Sequence, residues 1–219
     1  MGLKTNLTSL VLLIGLLSVS ANGQPVTETT TNYAIDSENS ILRVYVGRAG
    51  LLARMGHNHV MYTREISGQI LLAPNLENSS ASFSFPVSSL VVDEQSERER
   101  AGDGFQSRPS ESAIQGTREN MMGEDVLNAD AFPAIAATMK ALSVSGDQWL
   151  FLVELDFQGS VFSQEIPAQV ELSGTELSVN ASFTIEHGDI GLSPFTAVGG
   201  MLRVAEAMDF ELQIVATAQ

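Results

Sequence analysis

The second half of the chain alternates apolar and polar residues almost without interruption. Trp149, Phe151, Val153, Leu155 and Phe157 take every second position, with Glu154, Asp156 and Gln158 on the reverse face. A period of two marks a half-buried strand. Leu177, Val179, Ala181, Phe183 and Ile185 repeat the pattern, as do Met208, Phe210, Leu212, Ile214 and Ala216 against Asp209, Glu211 and Gln213. Over residues 166–172, Ala168, Val170 and Leu172 are expected inward, and Ser173, Gly174 and Thr175 make a tight hairpin turn. Strands with one apolar face predict an antiparallel sheet, closed or sandwiched.

The first half is less regular. Leu42, Val44 and Val46 share one face of a strand over 41–46. Residues 60–72 predict a single long strand, with Val60, Tyr62, Ile66, Ile70 and Leu72 on one side and Thr63, Glu65, Ser67 and Gln69 on the other. Gly68 within it marks a bulge or bend. Short strands are expected over 81–85 and 90–92. From Asp93 to Asp130 the texture changes. The charged run Glu94 to Arg100 reads as a solvated face. Ser110 is placed to cap one short helix over Glu111 to Met122, with Met121 and Met122 packing onto the sheet.

Composition narrows the class. The net charge is −15 over 219 residues, so the body is repelled by phosphate backbones, and neither nucleic acid nor an anionic membrane surface is an expected partner. There is no cysteine, hence no disulfide and no thiolate metal site. Lys4, the apolar run from Leu10 to Leu17 and the small residues Val19, Ser20 and Ala21 predict a cleavable secretory signal over 1–21. The run is shorter than the roughly 20 apolar residues of a spanning helix. Residues 22–32, rich in threonine, read as a disordered leader, and order is expected from 33 to 219.

Several ordered motifs carry a family resemblance. They are Tyr33-Ala34-Ile35-Asp36 with Ser40, the segment from Val126 through Phe132-Pro133 to Ile135, the hairpin Gly146 to Pro167, and Asp189-Ile190-Gly191. Together they resemble the YceI-like, polyisoprenoid-binding proteins of bacterial periplasms, from about Tyr33 to the C-terminus. The resemblance implies an all-β fold, an elongated antiparallel lipocalin-like β-barrel, with one short helical segment around 110–123. It also implies a periplasmic carrier, not an enzyme, that holds a polyprenyl chain or an isoprenoid quinone inside the barrel. Val44, Val46, Ile70, Trp149, Phe151, Val153, Phe183, Ile185 and Phe210 are then the expected barrel lining. The chain departs from the family's usual pattern at Gly56-His57-Asn58-His59, which resembles a Gly-His-x-His subgroup, and in a longer stretch over 94–115.

His57 and His59 are two of only three histidines. Two residues apart in a strand, they share a face. His187 continues the inward parity of Leu177 to Ile185. Three histidines without cysteine would suit zinc or copper with an open fourth position. Against this, the parity of Val60 turns His59 outward. Alternatively Arg54, His57 and His59, with Arg48 nearby, would meet a ligand head group, a neutral imidazole donating to a quinone carbonyl or pairing with a phosphate. A purely structural role for the histidines stays open beside these two. A hydrolase drawn from His57, Asp189 and Ser193 lacks any nucleophile-elbow motif. The implied partners are an apolar isoprenoid lipid and a membrane redox protein that would receive a bound quinone, and a homodimer is compatible with the pattern.

Overall fold

The computed structural model describes residues 29–219, so the expected signal peptide and the leader up to residue 28 lie outside the described residues. The alternating segments become twelve strands: β1 (Thr31–Ile35), β2 (Ile41–Ala49), β3 (His59–Thr63), β4 (Ser67–Leu72), β5 (Ser80–Pro86), β6 (Val91–Val92), β7 (Ala134–Ser145), β8 (Gln148–Phe157), β9 (Ser160–Ser173), β10 (Glu176–Glu186), β11 (Thr196–Ala197) and β12 (Leu202–Ala218). Two α-helices, α1 (Gln95–Ala101) and α2 (Glu111–Met122), lie between β6 and β7.

The sheet runs β1-β4-β5-β7-β8-β9-β10-β12, and β12 pairs back onto β1, closing an antiparallel ring. The all-β, lipocalin-like barrel with a short helix around 110–123 is therefore the observed fold. Closure removes the free edges that an open sheet of this length would expose. β2 continues β1 along the same edge of β12, and β3 and β6 extend the wall beside it. Among the described residues β6 does not pair with β7. There α2 stands beside the wall, and Arg118 donates to Ser88 O at 2.8 Å and to Leu90 O. Ser110 starts α2 as expected, its hydroxyl accepting from the Ala113 N–H at 3.3 Å.

Four expectations need correction. β1 starts at Thr31, ahead of the expected Tyr33, because Thr31 and Asn32 pair with Leu72 and Leu71 of β4. The single strand over 60–72 is two, broken at 64–66, where the Ile66 N–H turns back to Arg64 O at 2.7 Å. That break reverses the parity: His59 and Met61 face the barrel interior, whereas Val60 is buried on the opposite face, on the side where α1 packs against β3. The charged run is not a solvated face but α1, with Glu97 and Arg98 buried. Glu97 meets Arg43 of β2 at 2.6 Å. Leu172, expected inward, is exposed beside the hairpin turn at the end of β9.

Gly68 does mark a close approach. A Cβ there would sit 2.1 Å from Ser82 O of β5. At this end of the barrel Tyr33, Ile70, Trp149, Leu177, Ile214 and Ala216 fill the interior, and Trp149 stacks on Phe151 with centroids 5.6 Å apart. The packed end leaves the other end to hold the cavity.

Candidate ligand-binding cavity

Inward side chains of β2, β3, β5, β7, β8, β9, β10 and β12, with α2 at one side, enclose a cavity of about 290 Å³. One lateral row shows how register builds it. Ile185 pairs with Met208, Met208 with Val46, and Val46 with His59, so four strands contribute one ring segment. One step deeper, Phe183 and Phe210 are register partners whose rings stack at 5.1 Å, almost parallel at 1°. All but five lining residues are apolar; the exceptions are His59, Thr117, Asn120, Gln164 and His187.

Of the expected lining, Val44, Val46, Phe151, Val153, Phe183, Ile185 and Phe210 face this cavity. Ile70 and Trp149 do not. They border a separate void of about 30 Å³ toward the packed end, which Phe151 shares with the main cavity. Sequence reasoning missed Met61 because the parity of β3 is reversed. It also left out Phe83, Phe85 and Phe157, although alternation within β5 and β8 carries a signal for each.

The barrel wall has a seam. β9 and β10 pair only as far as Ala168 opposite Ala181. Beyond that point the Gln164 side chain bridges the two strands, Nε2 donating to Thr184 O at 3.2 Å. Its Oε1 is buried without a hydrogen-bond partner. An inward glutamine interrupting Phe162, Ile166 and Ala168 was visible as a break in the apolar face, yet no partner could be read for it from the sequence.

His59 is oriented from behind. Its Nδ1 lies 2.6 Å from Oδ2 of Asp93, whose Oδ1 accepts from the Val60 N–H at 3.0 Å and from Arg98. Asp93 adopts a left-handed backbone (φ 54°), which turns the chain from β6 into α1. Asp is one of the few side-chain-bearing residues that tolerate this conformation. Burial disfavours the charged carboxylate, but the hydrogen bond and charge of His59, the Val60 amide and Arg98 outweigh it and hold Asp93 below the ordinary carboxyl range. Arg98 is 0% exposed, and its remaining donors reach Asn58 O at 2.8 Å, Ser107 O at 2.9 Å and Ser107 Oγ at 2.8 Å. Every member of this buried cluster is satisfied, as stability requires. An ionised Asp93 can only accept, so Nδ1 of His59 carries the proton and Nε2 is the ring's remaining nitrogen.

The other candidates fall elsewhere. His57 sits edge-on to His59 at 6.4 Å and does not line the cavity; burial first, then His59 and Arg98, lowers its pKa. His187 lies in the turn after β10 and lines the cavity, with Nδ1 2.8 Å from Glu206 O. Arg54 is exposed in the β2–β3 loop, and Arg48 braces that loop by donating to Gly56 O at 2.6 Å. Among the described residues no group of three or more His, Asp or Glu is arranged to hold a metal. The zinc or copper site expected from His57, His59 and His187 is thus not assembled. The reason is placement: His57 does not line the cavity, whereas His59 and His187 reach it from different elements, β3 and the turn after β10. The hydrolase set fails as well, because Asp189 caps its own turn by accepting from the Glu186 N–H at 3.1 Å.

A closed antiparallel barrel around an apolar cavity, polar at only a few lining positions, places the protein in the lipocalin-like class. More specifically, the YceI-like domain model matches residues 33–216, and the chain belongs to that family. Among solved structures it is similar to BcnA of Burkholderia cenocepacia, with 14% identity and a TM-score of 0.61 over 84% of this chain and 99% of that one. The Campylobacter jejuni YCEI protein is similar at 10% identity and a TM-score of 0.52, over 73% and 84% of the two chains. A mutant of that protein with a monobromobimane guest gives the same identity and coverage. Comparison with curated protein sequences finds no match.

Proposed function

We propose that this protein is a periplasmic carrier that holds the polyprenyl chain of an isoprenoid lipid, including an isoprenoid quinone, within the barrel. The observation that carries the reading is the cavity wall: among the described residues it contains no Lys, Arg, Asp, Glu, Ser or Tyr. Such a wall binds by burial, at roughly 25 cal/mol per Å² of apolar surface. The lining runs from Phe151 to Phe157 along β8, roughly 20 Å of strand at about 3.3 Å per residue, so the space suits a long thin chain. The family's description as polyisoprenoid-binding and the expected secretory signal support the same reading. A quinone carried this way would be passed to a membrane redox protein.

The Asp93–His59 pair is oriented like a base and its supporting carboxylate, but the cavity offers it no nucleophile. The only hydroxyl of the lining, on Thr117, donates to Ala113 O at 3.0 Å within α2.

Titrating the delipidated protein with a short polyprenol while following the fluorescence of Trp149, the only tryptophan, tests the carrier reading. Trp149 stacks on Phe151, which lines the cavity, so filling should change its emission and saturate at one ligand per barrel. An unchanged signal, together with no retention of radiolabelled polyprenol on gel filtration, would reject it.

A further inference from the structure

We infer that the bound lipid presents a hydrogen-bond donor to the cavity, a hydroxyl such as that of a hydroquinone or a free polyprenol, in preference to a quinone carbonyl or a phosphate. The inference rests on the carrier reading and deepens it by naming the head-group chemistry.

Asp93, paired with buried Arg98, accepts from His59, so Nδ1 of His59 carries the hydrogen, and whenever the ring is uncharged its Nε2 is a lone pair. His187 is fixed in the same tautomer by a different partner: Glu206 O is a carbonyl and can only accept, so its neighbour Nδ1 at 2.8 Å must be protonated. Its Nε2 is again an acceptor. The Gln164 amide is oriented by Thr184 O, which takes one of its two N–H groups and leaves Oε1 as a buried acceptor with nothing to accept from. Thr117 has already given its hydroxyl proton to Ala113 O. Apart from the second N–H of Gln164, only Asn120, exposed at the rim of α2, keeps side-chain N–H groups to offer.

Three lining side chains from β3, β9 and the turn after β10 therefore present acceptors, and the one side-chain donor left in the interior is the second N–H of Gln164. A carbonyl head group would set acceptor against acceptor at both histidines and would leave Gln164 Oε1 unpaired, and leaving a buried polar group unpaired is costly. A phosphate would enter a cavity without a lining cation, and an unpaired buried anion is costlier still. A hydroxyl donates to such a site and completes Gln164 or a histidine.

The test uses the full mature chain, delipidated, at about pH 8, where histidine is ordinarily neutral. Binding is compared for ligands with identical short isoprenoid tails: quinol and quinone, prenol, prenyl methyl ether and prenyl phosphate. The expected result is that a hydroxyl form binds about tenfold or more tighter than its capped, oxidised or phosphorylated counterpart. A preference in the quinol pair, in the prenol pair or in both identifies the source of the hydroxyl. In Gln164→Met, expected to keep the apolar contact, the preference shrinks while affinity for the methyl ether is retained. Equal affinity for alcohol and ether together with equal affinity for quinol and quinone, or tighter binding of quinone or phosphate, overturns this inference and leaves the carrier reading intact. No binding by any member of the series brings down both.

Discussion

His59 of β3 and Asp93, 34 residues later, are joined at 2.6 Å between Nδ1 and Oδ2, and through that contact the cavity wall is tied to α1. The same carboxylate faces Arg98, whose other donors close the Asn58 and Ser107 carbonyls. The lining histidine and the fixed position of α1 thus depend on one buried anion.

Replacing that anion should be severe. Asp93→Asn leaves the fully buried Arg98 charge without its counter-ion, a change that typically destabilises by about 3–5 kcal/mol. Urea unfolding followed by Trp149 fluorescence should show the midpoint falling sharply. A midpoint within experimental error of the parent would mean that the cluster contributes little.

The same group sets an acid limit. Its folded pKa lies below the unfolded value of about 3.9, so between the two the unfolded chain binds the extra proton. The stabilisation from Asp93 is complete above the ordinary carboxyl range and is lost as pH falls through the lowered folded pKa. Stability curves of parent and Asp93→Asn between pH 7 and pH 3 should therefore converge at the acid end. Parallel curves would contradict the assignment.

A cavity-filling substitution separates binding from folding. Ala181 of β10 lines the cavity where the β9–β10 pairing ends. Ala181→Phe projects a ring into open space, so its overpacking cost should stay near the lower end of the usual range of about 1–3 kcal/mol. Lipid affinity should drop about tenfold or more while the circular dichroism spectrum of the barrel is kept. Unchanged affinity would place the ligand elsewhere.

Gly68 tests the barrel's curvature. Gly68→Ala would bring a Cβ to 2.1 Å from the Ser82 backbone oxygen, which cannot rotate away. A loss of several kcal/mol is expected, at the upper end of what single substitutions do. A thermal midpoint within a degree of the parent would show that β4 and β5 can separate freely.

Much of this architecture was legible because alternation and register agree. β10 and β12 pair residue for residue from Glu176–Thr217 to Glu186–Ala207, so their inward faces read directly from sequence. β7 was harder, since Ala137 and Ala141 on its inner face carry little hydrophobic signal. At 64–66 alternation misled, because a short turn reversed the parity and carried His59 from the expected outer face to the cavity. The buried ion pairs of α1 were not legible at all. Glu97 and Arg98 look like solvated charges until Arg43, 54 residues from Glu97, and Asp93 are folded against them. The metal reading failed for a related reason: spacing places two imidazoles near each other but does not show that only His59 of the pair lines the cavity.

Native mass spectrometry of the protein purified gently from its host tests the central claim most directly. The account predicts one isoprenoid lipid per barrel, released on denaturation and absent from Ala181→Phe prepared the same way. A barrel that carries no lipid, or Ala181→Phe retaining the same lipid in equal amount, would contradict it.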